Sequence, residues 1–183
     1  MNNLGTKRLE TERLILRRVN ANDVLSIYNN WSTDKLTNKY LDWDNHENPD
    51  ITCAYVASII ASYKKGAYDW VVELKDTGEL IGEISCVHYA KNGSYAEIGY
   101  CYGSKYWSHG YATEALRRVI EYLLNEEEFN IIEAKHISGN PASGRVMQKA
   151  GMKLDAVLRN RRINKDTKEI NDLVIYSIVK SEL

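Results

Sequence analysis

Two prolines, three cysteines and a single phenylalanine occur in 183 residues, and the charges nearly cancel, with 24 Lys plus Arg against 25 Asp plus Glu. Each scarcity excludes something. Cys53, Cys86 and Cys101 are odd in number and far apart, with no Cys-x-x-Cys or His-x-x-x-His spacing. That argues for reduced thiols and against a disulfide framework or any bound metal. No segment concentrates Lys and Arg as a phosphate-backbone tracker would, so nucleic acid is not an expected partner. No run approaches the roughly 20 apolar residues of a membrane span. Met1 to Arg8 has no apolar signal core, so the expected location is the cytoplasm, away from membranes. With no repeat, linker or low-complexity stretch, residues 1–183 are expected to form one domain.

What is present is a change of pattern partway along the chain. Leu14 and Leu16 alternate with Arg13, Ile15 and Arg17 in a strand expected over Glu12 to Val19. Asn20 is placed to cap a helix carrying Val24, Ile27 and Trp31, and Asn48-Pro49 to open a second carrying Ile51, Tyr55 and Ile59. A polar and aromatic loop, Thr37 to Asn48, joins them. Strands over Trp70 to Leu74, Leu80 to Val87 and Tyr95 to Tyr102 are separated by the turn formers Asp76-Thr77-Gly78 and Lys91-Asn92-Gly93, as in an antiparallel meander. Strand and helix then alternate. A helix is expected from Gly110 to Leu124, a strand from Ile131 to Ser138, and a short helix from Asn140-Pro141 to Gly151. Strands over Lys153 to Leu158 and Leu173 to Val179 follow. The class is α/β, with one mixed sheet.

The chemistry is expected where the strand Ala96 to Tyr102 runs through a glycine-containing turn into the helix at Gly110. Free backbone N–H groups and aligned peptide dipoles make a helix amino terminus attractive to anions, and small residues at Gly110 and Ala112 let a pyrophosphate approach. No Gly-Lys-Ser/Thr follows, and the glycines of a dinucleotide fingerprint are missing. A tight turn in which Gly110 only relieves crowding is the other reading of these residues.

The stretch Trp107-Ser108-His109-Gly110-Tyr111-Ala112-Thr113 resembles the acetyl-CoA-binding motif of the GNAT superfamily, Gln/Arg-x-x-Gly-x-Gly/Ala, and Ala96 to Tyr102 resembles the strand that precedes it. Asn140-Pro141-Ala142-Ser143 through Gly151-Met152 is similar to that superfamily's later helix. With Leu9-Glu10-Thr11-Glu12-Arg13-Leu14 at the start, the pattern resembles the RimJ/RimL branch, which acetylates protein amino termini. Trp107 stands where Gln or Arg is common, and Met147 where many members have a tyrosine acid.

The resemblance implies a mostly antiparallel sheet splayed in the middle, about four flanking helices, and direct transfer from acetyl-CoA to an amine. It implies cofactor contacts at Tyr100, Cys101, Tyr102, Trp107, Ser108, His109, Gly110, Tyr111, Ala112, Thr113, Asn140, Ser143 and Lys149. A backbone N–H near Cys101 or Tyr102 would meet the oxyanion. Glu97 is the candidate base, acting through water, with a solvated carboxylate or an ion pair as its alternative. Ser143 is the candidate acid at the CoA sulfur, with helix capping as its alternative. Cys101, lacking a partnered His, is not read as a nucleophile. His109 either contacts phosphate or faces solvent.

The loop Tyr40-Leu41-Asp42-Trp43-Asp44-Asn45-His46-Glu47 is aromatic and acidic. Asp42 and Asp44 are suited to draw in a cationic amine, with Tyr40 and Trp43 as acceptor contacts; a solvated loop anchored by one tryptophan is the alternative. The acceptor expected first is a protein or peptide α-amine. A polyamine or aminoglycoside acetyltransferase, or a CoA-binding module without catalysis, are the competing functions. The branch also makes a homodimer plausible.

Overall fold

The computed structural model describes residues 4–183 and builds eight strands into one sheet. These are β1 (Leu9–Glu10), β2 (Leu14–Arg17), β3 (Asp69–Leu74), β4 (Leu80–Tyr89), β5 (Tyr95–Tyr102), β6 (Ile131–Ile137), β7 (Lys153–Ile163) and β8 (Ile170–Val179), in the order β1-β2-β3-β4-β5-β6-β8-β7. Five α-helical segments accompany them: α1 (Val24–Ile27), α2 (Lys35–Asn38), α3 (Pro49–Ser62), α4 (Tyr111–Asn125) and α5 (Pro141–Lys149). The expected meander is β3-β4-β5, and all neighbours are antiparallel except β5 and β6, which α4 connects in parallel.

Alternation along β5 divides the molecule. Ala96, Ile98 and Tyr102 point into a core shared with Leu116, Val119 and Ile120 of α4 and Met147 of α5. Cys101 points the other way, into a second core with Ile27 of α1, Val56 and Ile59 of α3, and Val71 of β3. The sheet therefore has an α4/α5 side and an α1/α3 side.

β5 and β6 pair only from Tyr95↔Ile131 to Ile98↔Ala134. Beyond that point β5 continues to Tyr102 against β4 alone, and β6 continues to Ile137 against β8 alone. The backbone edge of Gly99–Tyr102 is thus left without a strand partner. This is the expected splay, at the expected strand.

Three local expectations differ. The helix expected from Asn20 through Trp31 is a 3-10 turn at Ala21–Asp23, one α turn and a π turn at Tyr28–Ser32. Its start is set by Asn20, whose side chain accepts from Asn22 N–H at 2.9 Å while its own N–H donates to Asp23 Oδ2 at 2.8 Å. The wide turn is closed by Thr33, whose hydroxyl donates to the Tyr28 carbonyl at 3.0 Å. The expected loop loses Thr37 and Asn38 to α2, capped by Asp34. Finally, β7 and β8 run on to Ile163 and back to Ile170. Their outer part is an exposed edge with no apolar face to bury, so no hydrophobic alternation announces it.

Candidate active site

Past β5 the chain passes Gly103, a 3-10 turn at Ser104–Tyr106, and an extended Trp107 before entering α4. A Cβ on Gly103 would lie 2.1 Å from the Asn30 carbonyl oxygen, so only glycine allows this approach. Ser108 and Gly110 both take positive φ, +65° and +83°, and such a conformation at the helix entry suits glycine. The first helical bond is Glu114 N–H to Gly110 C=O at 3.0 Å. The amides of Tyr111, Ala112 and Thr113 precede it and have no acceptor inside the helix.

Arg13, from the entry to β2, braces this turn. Its Nη1 donates to the His109 carbonyl at 3.0 Å, its Nε to Glu114 Oε2 at 2.7 Å, and its guanidinium lies 4.6 Å over the Tyr111 ring. His109 stacks on the same ring at 5.5 Å. Trp107 turns back, its indole N–H donating to the Tyr102 carbonyl at 2.7 Å.

The second helix amino terminus arrives beside β5. Asn140 Oδ1 accepts from Ser143 N–H at 3.4 Å and caps α5. The Ser143 hydroxyl lies 2.9 Å from the Tyr100 hydroxyl, which also reaches the Ser143 carbonyl at 3.1 Å. Burial pushes the Tyr100 phenol above its ordinary range, and the Ser143 contact opposes this. Met147, one turn further, is 1% exposed and belongs to the core. The Lys149 carbonyl accepts the Arg117 guanidinium, tying α5 to α4, while its side chain is exposed.

Backbone alternation settles which amides face the splay. Gly103 N–H donates to Ile81 C=O on the β4 side, and Tyr102 pairs with Gly82. In an antiparallel ladder successive residues turn to opposite edges, so Cys101 N–H turns to β4 while those of Tyr100 and Tyr102 turn to the open edge. Of the two amides expected for an oxyanion, the Tyr102 amide has this orientation.

Glu97 lies on the α1/α3 side, where its Oε2 meets Lys135 Nζ at 2.6 Å; the ion pair weighed as its alternative is present. The Cys101 thiol donates to Glu83 Oε1 at 3.5 Å, and burial, then the Glu83 charge, raises its pKa well above the ordinary value. A thiol held protonated is no nucleophile. Trp43 packs against the second core, 5.5 Å from His46, which lies 5.8 Å from Tyr55 of α3. Tyr40 lies under the Lys39 ammonium at 5.2 Å. Asp42 pairs with Arg162 and Asp44 with Lys165, the latter at 2.6 Å, so each exposed carboxylate has a cation of the β7–β8 hairpin beside it. Among the described residues no His, Cys, Asp and Glu group of three is placed to hold a metal, and no helix is long and apolar enough to cross a membrane.

A family model for the acetyltransferase (GNAT) domain matches residues 13–153. The chain belongs to the GNAT acetyltransferase family. The uncharacterized N-acetyltransferase YoaA of Bacillus subtilis is 34% identical over 173 residues, which cover 94% of this chain and 96% of that one. A GNAT-family acetyltransferase from Bacillus anthracis superposes with a TM-score of 0.84 at 26% identity, over 96% of this chain and all of that one. RimL, a ribosomal L7/L12 α-N-protein acetyltransferase solved with coenzyme A, shares the fold with a TM-score of 0.82 at 17% identity, over 94% and 98% of the two chains.

This GNAT chain groups the sequence candidates in two sets. Tyr100, Tyr102, Asn140 and Ser143, with the turn Trp107–Thr113 further along, belong to the splay and the α4/α5 side; Glu97, Cys101 and Trp43 lie on the other. Sequence reasoning missed Arg13, whose partner Glu114 lies 101 residues away. It also missed Asp69, Glu83 and the Tyr55 hydroxyl. The one signal for Glu83 is an acid amid the apolar run Leu80-Ile81-Gly82-Glu83-Ile84.

Proposed function

We propose that this GNAT acetyltransferase transfers the acetyl group of acetyl-CoA to a primary amine, with a protein or peptide α-amine as acceptor. The observation that carries the reading is that β5–β6 pairing stops at Ile98↔Ala134, opening a free backbone edge that leads to the unpaired amides of α4. An extended thioester arm fits that edge by main-chain hydrogen bonds, and its pyrophosphate fits the amides of Tyr111 to Thr113. Arg13, paired with Glu114, fixes a guanidinium beside the turn, and Gly110 leaves room, its nearest neighbour to a Cβ being Arg13 Nη2 at 3.5 Å. Asn140 and Ser143 border the thioester end, and Lys149 is free to meet the donor's anionic groups.

In the reaction a neutral amine attacks the thioester carbonyl. The Tyr102 amide is oriented to stabilise the oxyanion. Ser143, backed by the Tyr100 hydroxyl, is placed to hydrogen-bond the departing sulfur, a role Met147 cannot fill. Glu97, the base of the sequence reading, has its Oε2 taken by Lys135. An α-amine, with a pKa near 8, is partly neutral at neutral pH, whereas a lysine amine near 10.4 is not, which supports the α-amine.

Steady-state release of CoA thiol across peptides, polyamines and aminoglycosides tests the reading. Release that depends on a peptide with a free amino terminus and stops when that terminus is blocked is the expected result. Release confined to polyamines or aminoglycosides would replace the acceptor, and none with any amine would leave a CoA-binding module.

A further inference from the structure

Among the described residues, the α1/α3 side holds two carboxylates that no cation accounts for. Glu83 of β4 stands opposite Cys101 of β5 and Val71 of β3, and Asp69 stands opposite Ser85, so the two acids are diagonal neighbours on one face. Glu83 Oε1 accepts the Tyr55 hydroxyl at 2.8 Å and the Cys101 thiol at 3.5 Å. Glu83 Oε2 and Asp69 Oδ1 are shielded from solvent and have no hydrogen-bond partner. Tyr63 donates to the Asp69 main-chain oxygen at 3.1 Å and leaves the carboxylate untouched. Arg17, in the same row beyond Val71, is taken up by Asp23 at 2.8 Å and Glu73 at 2.7 Å.

Two enclosed carboxylates without a counter-ion cannot both stay charged. Burial first, and then the Glu83 charge, pushes Asp69 up to about 8; burial raises Glu83 as well, against the hydrogen bonds from Tyr55 and Cys101. Such a pair costs stability that an apolar pair would not, so its place in the molecule matters. Cys101 lies between Tyr100 and Tyr102, whose amides face the splay. Glu83 is thus one strand from the thioester carbonyl of the proposed reaction, on the side away from α4 and α5. Tyr55 fixes one carboxylate oxygen, leaves the other unengaged, and links through His46 to Trp43 of the acceptor loop. Glu97, by contrast, is already engaged by Lys135.

We propose that Glu83 is the proton acceptor of the acetyl transfer and that Asp69 is the positioning residue that keeps it ready to take a proton. The inference rests on the acetyl-transfer reading above. The amine nitrogen bonds to the carbonyl carbon while its proton passes through a bridging water to Glu83. The C–S bond breaks with its electron pair on sulfur, which takes a proton delivered from solvent by way of Ser143. Glu83 then returns its proton to solvent.

The test compares Glu83→Gln, Asp69→Asn and Glu97→Gln for turnover against pH, acetyl-CoA affinity by calorimetry, and carboxyl infrared absorption of the free protein during a pH titration. Glu83→Gln is expected to cut turnover by roughly 100-fold or more, to keep acetyl-CoA affinity, and to lose the acid limb of the pH–rate profile. Asp69, raised to about 8, is neutral across that limb, so Asp69→Asn keeps a neutral neighbour and is expected to leave the limb in place, whereas Glu83→Gln removes the charge that raises Asp69. In the free wild-type protein a protonated carboxyl band is expected to disappear around pH 8, and in either variant of the pair at lower pH. A carboxyl band that stays around pH 8 in Asp69→Asn, or a limb lost in Glu97→Gln and kept in Glu83→Gln, would overturn the assignment. Should Glu83→Gln not fold, Glu97→Gln decides: a kept acid limb supports Glu83 and a lost one overturns it. A wild-type protein that acetylates no amine would instead refute the acetyl-transfer reading itself.

Discussion

The two sides of the sheet solve opposite electrostatic problems. On the α4/α5 side the polar work is done by backbone: free amides at Tyr111 to Thr113, an open β5 edge, and the capped start of α5, with the single guanidinium of Arg13 beside the turn. On the α1/α3 side it is done by acidic side chains, Glu83, Asp69 and Glu97, of which only Glu97 has a cation at hand. A pyrophosphate-bearing donor suits the first arrangement, because main-chain donors bind anions with no charge to bury beforehand. An amine that arrives as a cation and must lose a proton suits the second.

The comparison breaks most visibly at Gly110. A bulky Gly110→Trp side chain would fill the room beside the amides, and a positive φ is costly for any residue with a Cβ. Acetyl-CoA binding measured by calorimetry should vanish in the folded variant; unchanged affinity would move the donor off this side. Next in size, with acetyl-CoA affinity kept, come turnover losses on the acceptor side, Glu83→Gln falling well below Glu97→Gln.

A moderate effect is expected at the junction. Ser143→Ala should lower turnover by less than the roughly 100 to 10,000-fold of full acid-base catalysis, because CoA thiolate is a tolerable leaving group. If Tyr100 works through the Ser143 hydroxyl, Tyr100→Phe added to Ser143→Ala should cost little more, a non-additivity readable in a double-mutant cycle. Additive losses would separate the two hydroxyls.

Stability, rather than turnover, carries the next effect, through its pH dependence. Asp69 is raised in the folded protein from 3.8 to about 8, so the folded chain holds a proton that the unfolded chain has released. Its contribution is greatest below about pH 4 and is lost as pH rises toward 8. The melting temperature of the wild type should therefore fall relative to Asp69→Asn across that window, and parallel curves would deny the shift. Least of all, Lys165→Ala should leave the melting temperature almost unchanged, since the Asp44 pair it breaks is exposed and screened.

The side built from backbone was legible in the sequence, because its signals are local. Gly110, Ala112 and Asn140-Pro141 each mark a chain conformation within a few residues, and β5 has its expected limits, Tyr95–Tyr102. The acidic side was not, because its groups come together only through register. Strand alternation puts Glu83 on a face, yet whether water or α3 covers that face depends on Tyr55, 28 residues earlier. The partners of Asp42 and Asp44 were hidden for the same reason, Arg162 and Lys165 lying 120 and 121 residues away. The short β1 and the exposed outer half of the β7–β8 hairpin carry too little apolar pattern to be read at all.

Hydrogen–deuterium exchange of the free protein against the protein with acetyl-CoA tests the division between the two sides most directly. Protection is expected over residues 99–116 and 140–149, with 40–60 unchanged until an amine acceptor is added. Protection by acetyl-CoA alone centred on 40–60, with the amides of 110–113 unaffected, would contradict the account.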